Sequence, residues 1–359
     1  MSGDNLPDIR DLSREDLIGF FTRYNEKGFR GGQVFEWLWK KACISFEEMT
    51  NLSKSTRQLM TENFTFHTAK PASEVRSKDG TIKIAFSLHD GMIVEGVLIP
   101  GDERFTACIS SQVGCSLDCK FCATGKLGFT RNLKYGEIFD QVVYLSKLAT
   151  GSQSPSHELQ SRALSNIVFM GMGEPFLNYE NLVKTIEKIT REEGLGMSPQ
   201  RITVSSIGIP KMIRQMADDD PKYHFAISLH AATDLKRNQI IPFNLKHPLE
   251  SIIDALKYYH TQTNKRFTIE YILFGNFNDS LADAKDLALF CKNFPVKINI
   301  IEYNPVHETG FRQSDPIKVK AFVDFLEKRN LVVNIRKSRG KDIEAACGQL
   351  AAKQLKTYN

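Results

Sequence analysis

No window of the chain carries the roughly 18 or more consecutive apolar residues of a membrane span, so no transmembrane anchor is expected. The amino terminus, Met1-Ser-Gly-Asp-Asn-Leu-Pro7, lacks the charged-then-apolar layout of an export signal. Charge of one sign is scarce in sum, with 47 Lys and Arg against 42 Asp and Glu and a formal net charge of +5. That balance permits a nucleic-acid partner without demanding one. Cysteines are few and odd in number, seven in 359 residues. Without an export signal, such a count points to a reducing cytoplasm and to reactive or metal-bound thiols. What is present is an ordinary globular composition, 42% apolar and 25% charged. The length suits one large domain with a smaller companion.

Three of the seven thiols crowd together. Cys115, Cys119 and Cys122 follow a C-x3-C-x2-C spacing, and Cys108 lies seven residues upstream. Thiolates this close are soft ligands for zinc or an iron–sulfur cluster. A structural zinc site wants four closed ligands, and an electron-transfer cluster usually takes four cysteines. Here the local count stops at three, which leaves the open position that substrate-binding metal sites keep. A remote fourth ligand from Cys43, Cys108, Cys291 or Cys347 would instead close a structural zinc site, and the spacing leaves both readings open.

The surrounding chain reads as three parts. In residues 1–68, Ser13-Arg-Glu-Asp16 forms an Asp variant of the capping box ahead of the apolar Leu17, Phe20 and Phe21. A second stripe of Val34, Phe35, Leu38 and Ala42 has Trp37, Trp39, Lys40 and Lys41 beside it, either a small helical core with its rim or a face toward RNA. In residues 69–103 the period becomes two: Ile82, Ile84, Phe86 and Leu88 run to Asp90-Gly91, which turns the chain back into Met92–Pro100 as a hairpin. Glu95 interrupts that second strand and reads most simply as an outward-facing surface acid. In residues 104–359, the runs Asn166–Gly171, Arg201–Ile207, Tyr223–Leu229, Phe267–Leu273, Val296–Tyr303 and Leu331–Ile335 alternate with helical stripes. Near-continuous apolar strands alternating with helices predict a parallel sheet, an open or closed β/α barrel. The cysteine motif falls in a loop of about 20 residues expected to lack structure, after the first barrel strand, where such folds put their chemistry. Cys43 and Cys291 read as buried thiols, and Gly151–Leu164 as a surface excursion. Between Lys328 and Lys341 six basic residues come with no acid among them, a solvated face or an anion-binding one.

Several strands end in residues poor at building cores. In Met170-Gly-Met-Gly-Glu-Pro175, Gly171 and Gly173 would let backbone approach a ligand closely, and Glu174 would pair an ammonium group. Ser205-Ser206, Ser228-Leu-His230 and Asn304-Pro305 close later strands. Each alone is a turn or a cap; together at one rim they favour a shared site. Near the end, Ile343, Ala346, Cys347 and Leu350 fit a helical stripe, which makes Cys347 a buried thiol, although Gly348 weakens that helix.

The cysteine spacing, with Phe121 between the last two thiols, resembles the radical S-adenosylmethionine (radical SAM) signature. With C-x6-C-x3-C-x2-C at Cys108–Cys122, Gly171-Met-Gly-Glu-Pro175, Ser228-Leu-His230 and Ala346-Cys-Gly-Gln349, the chain resembles the RlmN family of RNA adenine methyltransferases. The likeness runs from Gln33-Val-Phe-Glu-Trp37 to Gln349. It implies a partial (β/α)6-type radical SAM barrel with a small helical N-terminal domain, serving as an RNA-binding accessory, and a β-hairpin extension. It implies a 4Fe–4S cluster on Cys115, Cys119 and Cys122, two SAM molecules per turnover, and a SAM pocket of Gly173, Glu174, Ser205, Ser228, Leu229, His230 and Asn304. Cys347 would carry the methyl group, Cys108 would be its disulfide partner, and Glu95 would accept the substrate proton. The implied partners are 23S ribosomal RNA, tRNA and an electron donor such as flavodoxin, with the enzyme a monomer. Two rivals stand: a Cfr-type enzyme acting at carbon 8 of adenine, disfavoured by Pro175, and a non-enzymatic RNA-binding protein stabilised by zinc.

Overall fold

The computed structural model describes residues 6–102, 104–151, 164–306 and 309–351. The excursion expected within 151–164 lies, apart from its two end residues, outside the described residues. Three helices open the chain: α1 (Arg14–Arg23), α2 (Phe29–Trp39) and α3 (Lys54–Asn63). The capping box of α1 forms as expected, Asp16 N donating to Ser13 Oγ and Ser13 N to Asp16 Oδ2, both at 3.0 Å. Leu17, Phe20 and Phe21 are buried behind it. The tryptophans divide. Trp39 is buried and stacks on Tyr135 with ring centroids 5.4 Å apart, whereas Trp37 lies nearer the surface with Lys41 Nζ 4.0 Å from its ring.

A strand the sequence did not announce comes next. β1 (Lys70–Arg76) pairs antiparallel with β2 (Ile82–Ser87), which turns at Asp90-Gly91 into β3 (Ile93–Pro100). β1 is an edge strand exposed along nearly all its length, so nothing forced apolar alternation into Lys-Pro-Ala-Ser-Glu-Val-Arg. The supposedly structureless cysteine loop is also corrected. After β4 (Phe105–Cys108) it contains β5 (Gln112–Gly114), the one-turn helix α4 (Ala123–Lys126) and β6 (Phe129–Asn132), with β5 and β6 paired antiparallel. Polar loop residues disguise this hairpin, which is closed by the Cys115 amide on the Gly128 carbonyl at 2.8 Å.

The alternation then runs as expected: α5 (Tyr135–Ala149), β7 (Leu164–Phe169), α6 (Tyr179–Thr190), β8 (Ile202–Ser206), α7 (Pro210–Asp218), β9 (His224–Ser228), α8 (Asp234–Ile240), α9 (Leu249–Thr263), β10 (Phe267–Leu273), α10 (Leu281–Cys291), β11 (Val296–Glu302), α11 (Pro316–Glu327) and β12 (Val332–Arg336). One sheet carries ten strands in the order β1-β2-β3-β4-β7-β8-β9-β10-β11-β12. Pairings up to β3–β4 are antiparallel, and every pairing from β4–β7 onward is parallel. The parallel part thus has seven strands, the first barrel strand β4 and the six apolar runs read from the sequence, the last of which is β12. It is an open barrel among the described residues. The edge of β4 that closure would need is already taken by β3, with Val97 opposite Cys108. Cys43 and Cys291 are buried as expected, and the same burial pushes both thiols up to about 12.

Candidate active site

The carboxyl ends of the parallel strands, the cysteine loop and the C-terminal segment enclose a cavity of about 220 Å³. Of the residues singled out above, Cys108, Cys115, Cys119, Cys122, Gly173, Glu174, Ser205, Ser228, His230 and Cys347 line it. Glu95, Leu229 and Asn304 do not, although Asn304 touches the wall, its Nδ2 donating to the Cys347 carbonyl at 3.3 Å.

The three motif cysteines sit on one loop, braced by the Lys120 amide on the Ile240 carbonyl at 2.9 Å. Phe121 packs edge-on against His230, their centroids 5.0 Å apart. Burial pushes Cys115 up to about 12 and Cys119 well above its ordinary value; each also lies within the electrostatic reach of Cys122. Buried thiols that repel one another's charge want a cation to deprotonate them, which is the donor chemistry of an iron–sulfur cluster. Among the described residues no three His, Cys, Asp or Glu side chains gather around a point suited to a single ion.

The strand ends supply the polar groups. Glu174 is buried, its carboxylate accepting from the amides of Phe176 and Ile207 at 3.0 and 3.1 Å. Burial, only partly offset by those bonds and by Ser206, raises it to about 7. None of these partners carries charge, so Glu174 fits an incoming ammonium. The two glycines before it line the cavity and also make room for the chain itself. A Cβ on Gly171 would stand 2.7 Å from the Ile109 carbonyl, and one on Gly173 (φ +96°) 2.5 Å from Gln112 Cβ. What approaches them is the chain's own link from β4 to β5. Gln112, unremarked in the sequence, then receives the Glu174 amide on its Oε1 at 2.8 Å. Ser205 and Ser228, at the ends of adjacent strands, lie with hydroxyls 3.1 Å apart. His230 holds a left-handed backbone (φ +56°), and its Nδ1 accepts from the Ile272 amide at 3.1 Å. That leaves the neutral ring's Nε2 as the donor; burial, with the Arg237 charge adding to it, pulls its pKa down to about 3. Leu229 is buried in the core, its amide donating to the Glu270 carbonyl at 3.0 Å. Among the described residues Asn304 Oδ1 is buried without a partner, an acceptor suited to a bound ligand's donor.

The sequence reading of Cys347 as a buried helical thiol is overturned. Residues 344–350 form no helix: Glu344 and Gly348 have φ of +52° and +82°, and Cys347 is an exposed residue in the cavity wall. Cys108, 239 positions earlier, faces the same cavity, close enough that charge on Cys347 disfavours charge on it. Both are free thiols. The residue as a whole is exposed, but its thiol lies on the cavity side, where loss of water raises it, and Arg336 is the cation that pulls it back down. Arg336 Nη1 lies 3.3 Å from Glu270 Oε2. Glu270, an acid inside the apolar run Phe-Thr-Ile-Glu-Tyr, was a visible signal that the sequence reading passed over. Lys341, by contrast, pairs with Glu302 at 2.6 Å.

Glu95 is not the outward-facing acid its strand suggested. It is buried, with Oε1 3.2 Å from Lys83 Nζ and Oε2 accepting from the Ala351 amide at 2.9 Å. β3 is covered on both faces, by α5 on one side and by the C-terminal segment on the other, and period-two logic fails there.

Known proteins resemble the chain over its length. Residues 7–65 match the ribosomal RNA large subunit methyltransferase N-terminal domain, and residues 109–288 the radical SAM superfamily. A protein of Christiangramia forsetii named probable dual-specificity RNA methyltransferase RlmN is 52% identical over 98% of this chain and 97% of its own. One so named in Thermotoga neapolitana is 41% identical over 97% of this chain and 98% of its own. The crystal structure of a radical SAM methyltransferase from Sphaerobacter thermophilus superposes with a TM-score of 0.89 at 36% identity, covering 97% of this chain and all of that one.

Proposed function

The chain belongs to the RlmN family of SAM-dependent radical RNA methyltransferases, and from that premise we propose that it methylates carbon 2 of an adenine in 23S ribosomal RNA and in tRNA, with Cys347 carrying the methyl group. One observation carries this: the cavity unites the cysteine-motif loop with two free thiols from opposite ends of the domain. A zinc-stabilised binding protein has no use for that pair.

Carbon 2 of adenine lies between two electronegative ring nitrogens and will not attack an electrophilic methyl group, which closes ordinary polar transfer. Cys115, Cys119 and Cys122 would hold a 4Fe–4S cluster, which together with SAM would supply a carbon radical instead. Glu174 would receive the SAM ammonium, and Ser205, Ser228, His230 and Asn304 would take its remaining polar edges. Cys347 must be a thiolate to accept a methyl group by displacement, and Arg336 is the residue that favours that form. Two SAM molecules are then used per turnover, one for the methyl and one for the radical. A hydrogen atom would be taken from the methyl on Cys347, and the resulting CH2 carbon would join the base. The adduct would then give up the one electron that cleaving the second SAM consumed, and Glu95 would take the ring proton. In the conformation described, Glu95 is bonded to Ala351 outside the cavity, so that bond must open first. Cys108 would then attack the Cys347 sulfur. The S–S bond forms as the bond from that sulfur to the CH2 carbon breaks; its electron pair stays with the nucleobase, and a proton taken up at that carbon completes the methyl group.

The adenine must leave any stack to enter, so single-stranded or flipped bases are the form recognised. The helical segment 1–68 and the basic run ending at Lys341 are the surfaces that would hold the RNA. A flavodoxin-type donor, a cytoplasmic setting and a monomeric state complete the reading. Its test is the methyl position on 23S rRNA and tRNA from cells whose only such enzyme is this chain. Methyl at carbon 2 is the expected result. Methyl at carbon 8 would make it a Cfr-type enzyme, and unmodified RNA would overturn the proposal.

A further inference from the structure

The segment bearing Cys347 is a strap, held by bonds from other elements. Its start is pinned to the β1–β2 turn, Gly340 N donating to Asp79 Oδ2 at 2.9 Å and Ser77 Oγ to Asp342 Oδ1 at 2.5 Å. Its far end is held by Glu95. Immediately beyond Cys347 the partners come from α4, the turn that begins right after Cys122. Ala123 N donates to the Gly348 carbonyl at 2.7 Å, and Thr124 Oγ1 to the Leu350 carbonyl at 2.6 Å. Thr124 is buried. Valine has nearly its shape, so packing alone gives no reason for the hydroxyl there.

We propose that Thr124 is a positioning residue for the Cys347 thiol, fixing the strap against the cysteine-motif loop through the Leu350 carbonyl. This rests on the methyl-carrier reading of Cys347. A radical generated beside that loop takes hydrogen from a methyl group only at contact, and a misplacement of about 1 Å suffices to lose the transfer. A bond from the motif's own turn sets that distance without passing through the rest of the sheet.

The test compares the full-length protein, purified anaerobically with its cluster, with Thr124→Val and Thr124→Ser. Hydrogen exchange of the peptide spanning residues 343–351 is measured by mass spectrometry, and 5′-deoxyadenosine is counted against methylated RNA. In Thr124→Val, exchange is expected to quicken roughly fivefold, the scale of one lost hydrogen bond. The ratio of deoxyadenosine to methylated RNA is expected to rise with it, because SAM is still cleaved but hydrogen transfer misses. Thr124→Ser, which keeps the hydroxyl, is expected to restore both. A merely structural role would lower the two products in parallel and leave their ratio unchanged; that result, or equal exchange in all three proteins, overturns the proposal. If the unaltered protein makes no deoxyadenosine, the methyl-carrier reading fails, while the exchange rates still judge the strap contact.

Discussion

Cys108 stands in the cavity with Cys347 but is tied to no other thiol, so its contribution should fall on one step only. Cys108→Ala is expected to form the covalent RNA–protein adduct at Cys347 and fail to release it. A denaturing gel shows a shifted, RNA-bearing band, and normal turnover would remove the disulfide step. Two other residues make stability depend on pH with opposite signs. Glu174 keeps its proton in the folded state up to about 7, against 4.5 ordinarily. Folding thus favours the protonated form, and this contribution, up to about 3 kcal/mol, is present at low pH and lost as pH rises from 4.5 through about 7. Denaturant melts of the SAM-free protein should show that decline, and Glu174→Gln should flatten it. His230 works the other way. Its pKa is held at about 3 against 6.5 ordinarily, so its contribution is present above pH 6.5 and lost as pH falls toward 3.

Elements, rather than single residues, explain which sequence expectations failed. Helix starts marked by capping residues form as expected because those signals are local: the Ser13–Asp16 box and the Asp315 cap, whose Oδ1 accepts from the Ile317 amide at 2.7 Å. β1 and the β5–β6 hairpin left no pattern because neither buries a regular apolar face. Packing between α1 and α2 is close. A Cβ on Gly31 would stand 2.5 Å from the Ile18 amide nitrogen, which leaves no room for a methyl group. Gly31→Ala is expected to destabilise the protein by about 1–3 kcal/mol, read as a lower denaturant midpoint with an unchanged slope. An unchanged midpoint would mean that the two helices separate at little cost.

Across the whole molecule, the N-terminal helical segment is fastened to α5 by a buried ion pair. Arg10 Nη1 lies 2.7 Å from Asp140 Oδ1 on α5, and the other oxygen of Asp140 accepts from the Ala69 amide at 2.8 Å. Removing one partner leaves a charge buried without its counterion. Asp140→Ala is therefore expected to cost about 3–5 kcal/mol and to speed proteolytic release of the helical segment. If the segment stays as resistant as in the unaltered protein, the aromatic contacts of Trp39 with Tyr135 and Phe139 suffice to hold it.

The sequence alone determined the chemistry on offer. Three clustered thiols, a strand–helix alternation and the signature segments are properties of spacing, and spacing survives without a fold. Which side chains share the cavity was decided only by the tertiary structure. Cys108 and Cys347 meet because the C-terminal strap crosses back over β3 and the cysteine loop. Glu95 is buried for the same reason, and Arg336 rather than its basic neighbours governs the Cys347 thiol because β12 delivers it beside Glu270. These are contacts between residues tens to hundreds of positions apart, and no local period encodes which of them will close.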